Sequence, residues 1–227
     1  MAKPKRTIVE YRSYSLSSQF PLQLLAGDYW RISDIPSDRL HFHNCLEIGI
    51  CHSDSGNLVV FDETIPFRAG DVTVIPRNVP HTTYSAPGTE SLWSYIFFDP
   101  KEMLRGMLPP EWKNGDMYRQ AYRGMPVVFG KDEYPHLYHL TLDAIRELKE
   151  QRQNYQLSAR GLLLSLCIEI TRALSPLAIG GGNTGNAFPG WNDSGNYPSG
   201  NSRMTPGITH REHSQAGTPH QECTMPC

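Results

Sequence analysis

A mainly-β fold is what this sequence predicts: a small β-barrel, then an antiparallel pair of α-helices, then a disordered tail. Three observations predict it. From Leu46 to Phe98 the chain runs in short segments rich in Val, Ile, Phe and Tyr, cut by Gly, Asp and Pro. Many short strands with turn signals between them point to an all-β barrel or sandwich. From Glu133 to Leu174 the apolar spacing switches to helical period. From residue 176 on, Gly, Pro, Asn, Ser and Thr dominate with no apolar period. Such a segment buries too little apolar surface to offset chain entropy. The expected units are 1–131, the barrel with its connection; 132–175, the helical pair; and 176–227, the tail.

The elements follow in order. Thr7–Tyr11 reads as an edge strand, and Leu22–Leu25 and Tyr29–Ile32 as short apolar pieces before a turn at Pro36. Leu46–Cys51 is the first clear strand, followed by a turn over His52–Gly56. Asn57–Phe61 and Thr64–Arg68 flank Asp62-Glu63 as a hairpin. After the Gly70-Asp71 turn come Val72–Ile75, Thr82–Ser85 and Leu92–Phe98. Pro76 and Pro80 bracket a loop, since neither donates to a ladder. Residues 99–131 are a connection packed down by Trp112, Tyr118, Tyr122 and Val127–Phe129. Leu137, Leu140, Ala144, Ile145 and Leu148 form one face of a helix over Glu133–Gln151, which Asn154 ends. The second helix, Leu157–Leu174, is apolar most of the way round, so it needs cover on most faces.

Composition excludes several classes of function. The 227 residues carry a formal net charge of −2, so no basic footprint for nucleic acid is present. The basic start, Met1 to Arg6, leads into Glu10, Arg12 and serines rather than an apolar run, so no secretion signal is read. No apolar run approaches the ~20 residues of a membrane helix. The five cysteines lack metal-knuckle spacing. Cys45, Cys51 and Cys167 read as buried thiols, which suits a reducing cytoplasm.

Chemistry concentrates between His41 and His81. Residues two apart on a strand share a face, so His41, His43, Cys45 and Glu47 are expected to project together. His81 arrives from the strand after the Pro76–Pro80 loop. Three imidazoles and a carboxylate suit Zn, Fe, Mn, Ni or Cu. They suit still better a polar pocket for a small molecule, with a hydrogen-bonded cluster closing the barrel end as the third reading. Cys45 is expected to be inert rather than a ligand. Trp93, Tyr95 and Phe97 alternate on one strand face. Trp93 and Tyr95 are candidate walls of a ligand site, although core packing is the commoner role of such spacing. Trp30 is open to the same two readings. No phosphate loop or nucleophile elbow occurs.

The run His-x-His-x-x-x-Glu at 41–47, with Gly70-Asp71, Pro76 and His81, resembles the two motifs of the cupin superfamily. In its metal-binding members the positions matching His41, His43, Glu47 and His81 hold the metal. The chain departs from that pattern at Gly56, which falls late, and at Asn78, where the enzymes usually carry Gly. A narrower resemblance is to the N-terminal effector domain of AraC-type transcriptional regulators. His41–Gly49, the Gly70-Asp71 turn, the Ser94–Phe98 strand and the helical pair carry it, about three quarters of the chain. The resemblance implies a small molecule, often a sugar, bound inside the barrel, and a dimer contact on the helices.

On this resemblance the ligand-binding residues are His41, His43, Glu47, His81, Trp93 and Tyr95. No cofactor is expected, and a divalent transition metal on the first four is the alternative. The partners are the effector and a second copy of the chain, joined through Leu162, Leu163, Leu166 and Ile170. DNA is expected for the family, through paired helix-turn-helix units. The segment 176–227 is too short and wrongly composed for those units, so the DNA reader is expected to be missing, through a lost coding frame or a cut just after the second helix. The expected location is the cytoplasm, with no membrane contact. The alternative function is a metal-dependent cupin enzyme of isomerase or dioxygenase type.

Overall fold

Alternation along the strands sorts residues onto two faces, and two sheets result. The computed structural model describes residues 8–107 and 128–180, with side chains to residue 174. The first sheet runs β1 (Ile8–Arg12), β4 (Arg39–His43), β9 (His81–Ser85), β6 (Ser55–Val60), β7 (Glu63–Arg68). The second runs β11 (Val128–Phe129), β8 (Val72–Ile75), β5 (Leu46–Cys51), β10 (Ser91–Phe98), β2 (Leu22–Leu25). The short β3 (Arg31–Ile32) pairs with the start of β10. β1 lies parallel to β4, and the remaining pairings are antiparallel. This is the expected cupin-type architecture, built as two facing sheets rather than one closed ring among the described residues.

β5 shows how the sequence divides between two cores. Leu46, Ile48 and Ile50 face outward and join Val72, Val74, Ile96 and Phe98 in a cluster with the helices. Glu47, Gly49 and Cys51 face inward. After the single-turn α1 (Pro100–Met103) come α2 (Pro135–Glu150) and α3 (Tyr155–Gly180). α2 ends where Gln151 turns left-handed, at φ 47°, and donates its N–H to Glu147 O at 3.0 Å. Leu137, Ala144 and Ile145 from α2 and Leu163, Leu166 and Ile170 from α3 fill the space above the second sheet.

That packing corrects the expected dimer surface. Leu163, Leu166 and Ile170 are each 0% exposed in the single chain. The apolar girdle of α3 is covered by α2 and the sheet, so these residues are not available to a second copy. Leu162 alone of the four keeps partial exposure.

Smaller differences have local causes. The hairpin turns at Phe61-Asp62, one residue earlier than expected, because Val60 pairs with Glu63 and so keeps Leu58 and Val60 facing inward. α3 runs beyond Leu174 to Gly180. Trp112, Tyr118, Tyr122 and Val127, like residues 181–227, lie outside the described residues.

Candidate functional site

The site forms where the two sheets meet at one end. His41 and His81 are direct partners across β4 and β9, with ring centroids 4.3 Å apart. His43 follows on the same strand, its ring 5.2 Å from that of His81. Glu47 approaches from the opposite sheet, flanked in register by Phe97 and Ile75.

Sequence parity predicted a different route to the same meeting. A single strand from His41 to Glu47 would align all four side chains, Cys45 included. Instead the chain bends at Asn44-Cys45, and the two halves enter different sheets. The Asn44 side chain holds this corner, accepting from Tyr14 N at 2.9 Å and donating to Tyr14 O at 3.0 Å. Cys45 stays buried at the bend, 3.8 Å from His43 Nδ1. Burial first, then the Glu47 charge, pushes its thiol up to about 12. It is protonated at neutral pH and neither a thiolate ligand nor a nucleophile.

Hydrogen bonding fixes where the imidazole protons sit. His43 Nδ1 lies 2.9 Å from Cys45 O, and His81 Nδ1 lies 2.8 Å from Val79 O. A carbonyl only accepts, so both Nδ1 atoms carry hydrogen and both Nε2 atoms present lone pairs unless protonated. Both aim at one carboxylate oxygen: Glu47 Oε2 is 2.9 Å from His43 Nε2 and 3.4 Å from His81 Nε2. The shorter of these contacts is a hydrogen bond between His43 and Glu47. His81 Nε2 is buried with no hydrogen-bond partner among the described residues, in ion-pair range of Glu47 Oε2.

Charge states follow from this geometry. Burial favours the neutral form of Glu47, but the His81 and His43 imidazoles outweigh it and hold the carboxyl well below the usual range. Burial, reinforced by His81 and Arg12, lowers His41 to about 2, so it is neutral at pH 7. Tyr14, stacked on Phe97 at 4.4 Å, is raised to about 12 by burial and then by Glu47.

The Pro76–Pro80 loop delivers His81. Asn78 sits at φ 65°, and its N–H donates to His43 O at 2.8 Å, tying the loop to the strand that carries the other imidazoles. Asn is among the residues that tolerate this left-handed conformation best after Gly. The departure from Gly therefore preserves the turn.

A cavity of about 380 Å³ opens onto this cluster. His41, Glu47, His81 and Tyr95 line it, as the sequence led us to expect; His43 and Trp93 do not. His43 stands behind Glu47, fully buried. Trp93 is buried beside the lining residue Tyr95, stacked on it at 5.4 Å and donating from Nε1 to Ser91 Oγ at 2.8 Å. Gly49 makes room for Tyr95, since a Cβ there would lie 2.8 Å from the ring.

Sequence reasoning missed Glu10, Arg12, Tyr14 and Arg39, which also line the cavity. Glu10 and Arg12 arrive through the parallel pairing of β1 with β4, which places Glu10 beside His41 and Arg12 beside His43. Strand order of that kind leaves no local mark. Trp30, ambiguous from sequence, is also at the wall.

A subset of the cluster has metal-ligand geometry. His41, Glu47 and His81 each offer one donor atom, and these lie within 4.8 Å of one another. An Nδ1–H given to a backbone carbonyl, leaving Nε2 free, is how metal-bound histidines are commonly oriented. His43 falls outside this set, its Nε2 being engaged by Glu47.

Two facing sheets of cupin type, a polar cavity between them and a helix pair on the outer face describe a ligand-binding domain. Residues 29–167 match the family model of the AraC-like ligand binding domain, and the chain belongs to that family. Among solved structures it is similar to a cupin 2 conserved barrel domain protein from Salinispora arenicola CNS-205, with 20% identity over 39% of this chain and 82% of that one, TM-score 0.30. It is similar to the AraC-like transcriptional activator CuxR, with 12% identity over 58% of this chain and 42% of that one, TM-score 0.38. It is also similar to a variant oxalate decarboxylase of Bacillus subtilis, with 22% identity over 26% of this chain and 17% of that one, TM-score 0.24. No curated protein matches the chain. No helix among the described residues is long and apolar enough to cross a membrane.

Proposed function

We propose that this chain senses a small molecule for an AraC-type transcriptional regulator, binding it in the cavity between the two sheets. The observation that carries this reading is the cavity floor. Among the described residues the buried His81 Nε2 there has no hydrogen-bond partner and lies 3.4 Å from Glu47 Oε2. A hydroxyl of the ligand would supply that partner, and Tyr95 and Phe97 offer rings for its apolar faces. A hydroxylated effector of sugar size fits this lining, and a site built to hydrogen-bond hydroxyls rejects analogues lacking them. Its output is regulation of transcription in the cytoplasm, through a DNA reader carried by the full regulator or by a partner copy. Dimerisation, if it uses α3, uses the side bearing Leu162.

A thermal-shift screen of neutral sugars and sugar acids tests the proposal. Anything binding only the folded form at a hundredfold excess over its Kd stabilises by about 2.7 kcal/mol. The expected result is a shift with at least one such compound that disappears in His81→Gln. A shift equally large in that variant would remove the cavity from the account.

A second reading is favoured by the three convergent donor atoms of His41, Glu47 and His81. They fit a divalent transition metal, which would act as a Lewis acid in a metal-dependent cupin enzyme. Elemental analysis of protein purified without chelators separates the readings. Near-stoichiometric metal lost in His41→Ala supports the enzyme, and a metal-free protein that still binds a sugar supports the sensor.

A further inference from the structure

Charge at the cavity wall narrows the effector class beyond the preceding proposal, on which this inference rests. Three charged groups stand on the first sheet beside the imidazoles: Glu10, Arg12 and Arg39. Arg39 and Glu10 neutralise each other through a direct side-chain bond between adjacent strands. Glu47, the fourth charge at the cavity, has the His43 and His81 imidazoles aimed at its Oε2, at 2.9 and 3.4 Å. Arg12 remains. Among the described residues its guanidinium has neither an ion-pair nor a hydrogen-bond partner. It lines the cavity, and it is exposed at the mouth rather than sealed inside.

The sheet register separates this free cation from the free acceptor. Arg12 pairs in register with His43, and Glu10 with His41, which in turn pairs with His81. Arg12 and His81 therefore stand two strands apart, about 10 Å between backbones at normal strand spacing. One end of the site lacks an anion and the other lacks a hydroxyl donor.

We infer that the effector is a hydroxylated organic anion, its negative group on Arg12 and a hydroxyl on His81 Nε2. A guanidinium recognises carboxylate and phosphate alike, in bidentate fashion. The shared chemistry is the anion, and the two sources are separable by experiment. A neutral sugar would fill the floor and leave Arg12 unpaired.

Calorimetric titration with galactose, galacturonate and galactose 6-phosphate tests this. Galacturonate and the phosphate differ from galactose in the charged group, so they serve as matched probes. The expected result is that at least one anion binds tenfold or more tightly than galactose, and that in Arg12→Gln this advantage is lost, the three probes binding within twofold of one another. Arg12 is exposed, so the variant is expected to fold, and an unchanged melting temperature checks that. Whichever anion gains more identifies the charged group. Equal binding of galactose and both anions, or an anion preference that survives in Arg12→Gln, overturns the inference and leaves the sensor proposal standing. Failure of all three probes to bind at millimolar concentration, in a protein that binds other neutral polyols, also overturns it. Failure of every polyol and acid alike brings down the sensor proposal itself.

Discussion

Glu47 is the residue on which the site turns, because the Nε2 atoms of two imidazoles meet at one of its oxygens. Its folded carboxyl is depressed, so the stabilisation it supplies is present above the unfolded carboxylate range, near 4.3, and is lost as pH falls below it. His41 acts in a higher window. Its folded value is lowered to about 2, so the unfolded chain takes up a proton below about pH 6.5 while the folded one does not. Stability therefore falls with pH from about 6.5 downward, by at most about 1.4 kcal/mol per pH unit for this group. The wild type is expected to lose melting temperature between pH 6.5 and 4.5, His41→Gln to lose less over that range, and Glu47→Gln to flatten the curve only below about pH 4.5. Thermal melts across pH separate the two windows, and identical slopes in all three proteins would refute the assignment. The identity of these groups was legible in the sequence, since His41, His43, Glu47 and His81 are chemically conspicuous and closely spaced. Their division of labour was not. That His43 backs Glu47 while His41 and His81 face the cavity depends on which carbonyl each Nδ1 reaches.

Among the elements, β5 and α3 decide how the molecule packs. β5 is buried on both faces, one toward the cavity and one toward the helices, and Gly49 is its tightest point. A Cβ there would meet Thr73 Oγ1 at 2.5 Å as well as the Tyr95 ring. Gly49→Ala is expected to cost about 1–3 kcal/mol by overpacking. It should also weaken ligand binding by moving Tyr95, and denaturant unfolding with a parallel titration measures both. α3 supplies a contrast between its faces. Leu166→Glu places a charge in the sealed helix–sheet core and is expected to cost about 3–5 kcal/mol, enough to unfold a marginal domain. Leu162→Glu, at a half-exposed position, should leave the fold intact. Circular dichroism distinguishes the pair; a folded Leu166→Glu protein would contradict the packing described. The helical period announced α3 correctly, but not what covers it. A nearly all-round apolar helix is compatible with a subunit interface or with a sheet beneath it. Only the outward faces of β5, β8 and β10 settle the matter. The bend at Asn44-Cys45 was equally hidden, because its cause is a hydrogen-bonded contact with Tyr14, thirty residues away.

For the molecule as a whole, the two sheets perform separate tasks. The outer face of the second sheet is spent on the helices, and its inner face, with the first sheet, encloses the cavity. Trp93 packs on Phe67 at 4.8 Å and stacks on Tyr95, backing that wall of the cavity. An effector bound as proposed contacts His41 or His81, while His52 and His139, outside the cavity lining, stay unaffected. Imidazole ring signals followed by NMR during titration with a compound from the thermal screen test this most directly. Saturable shifts of the His41 and His81 resonances, with His52 and His139 unmoved, are the predicted result. Saturation with those two rings unperturbed would place the ligand elsewhere and contradict the account.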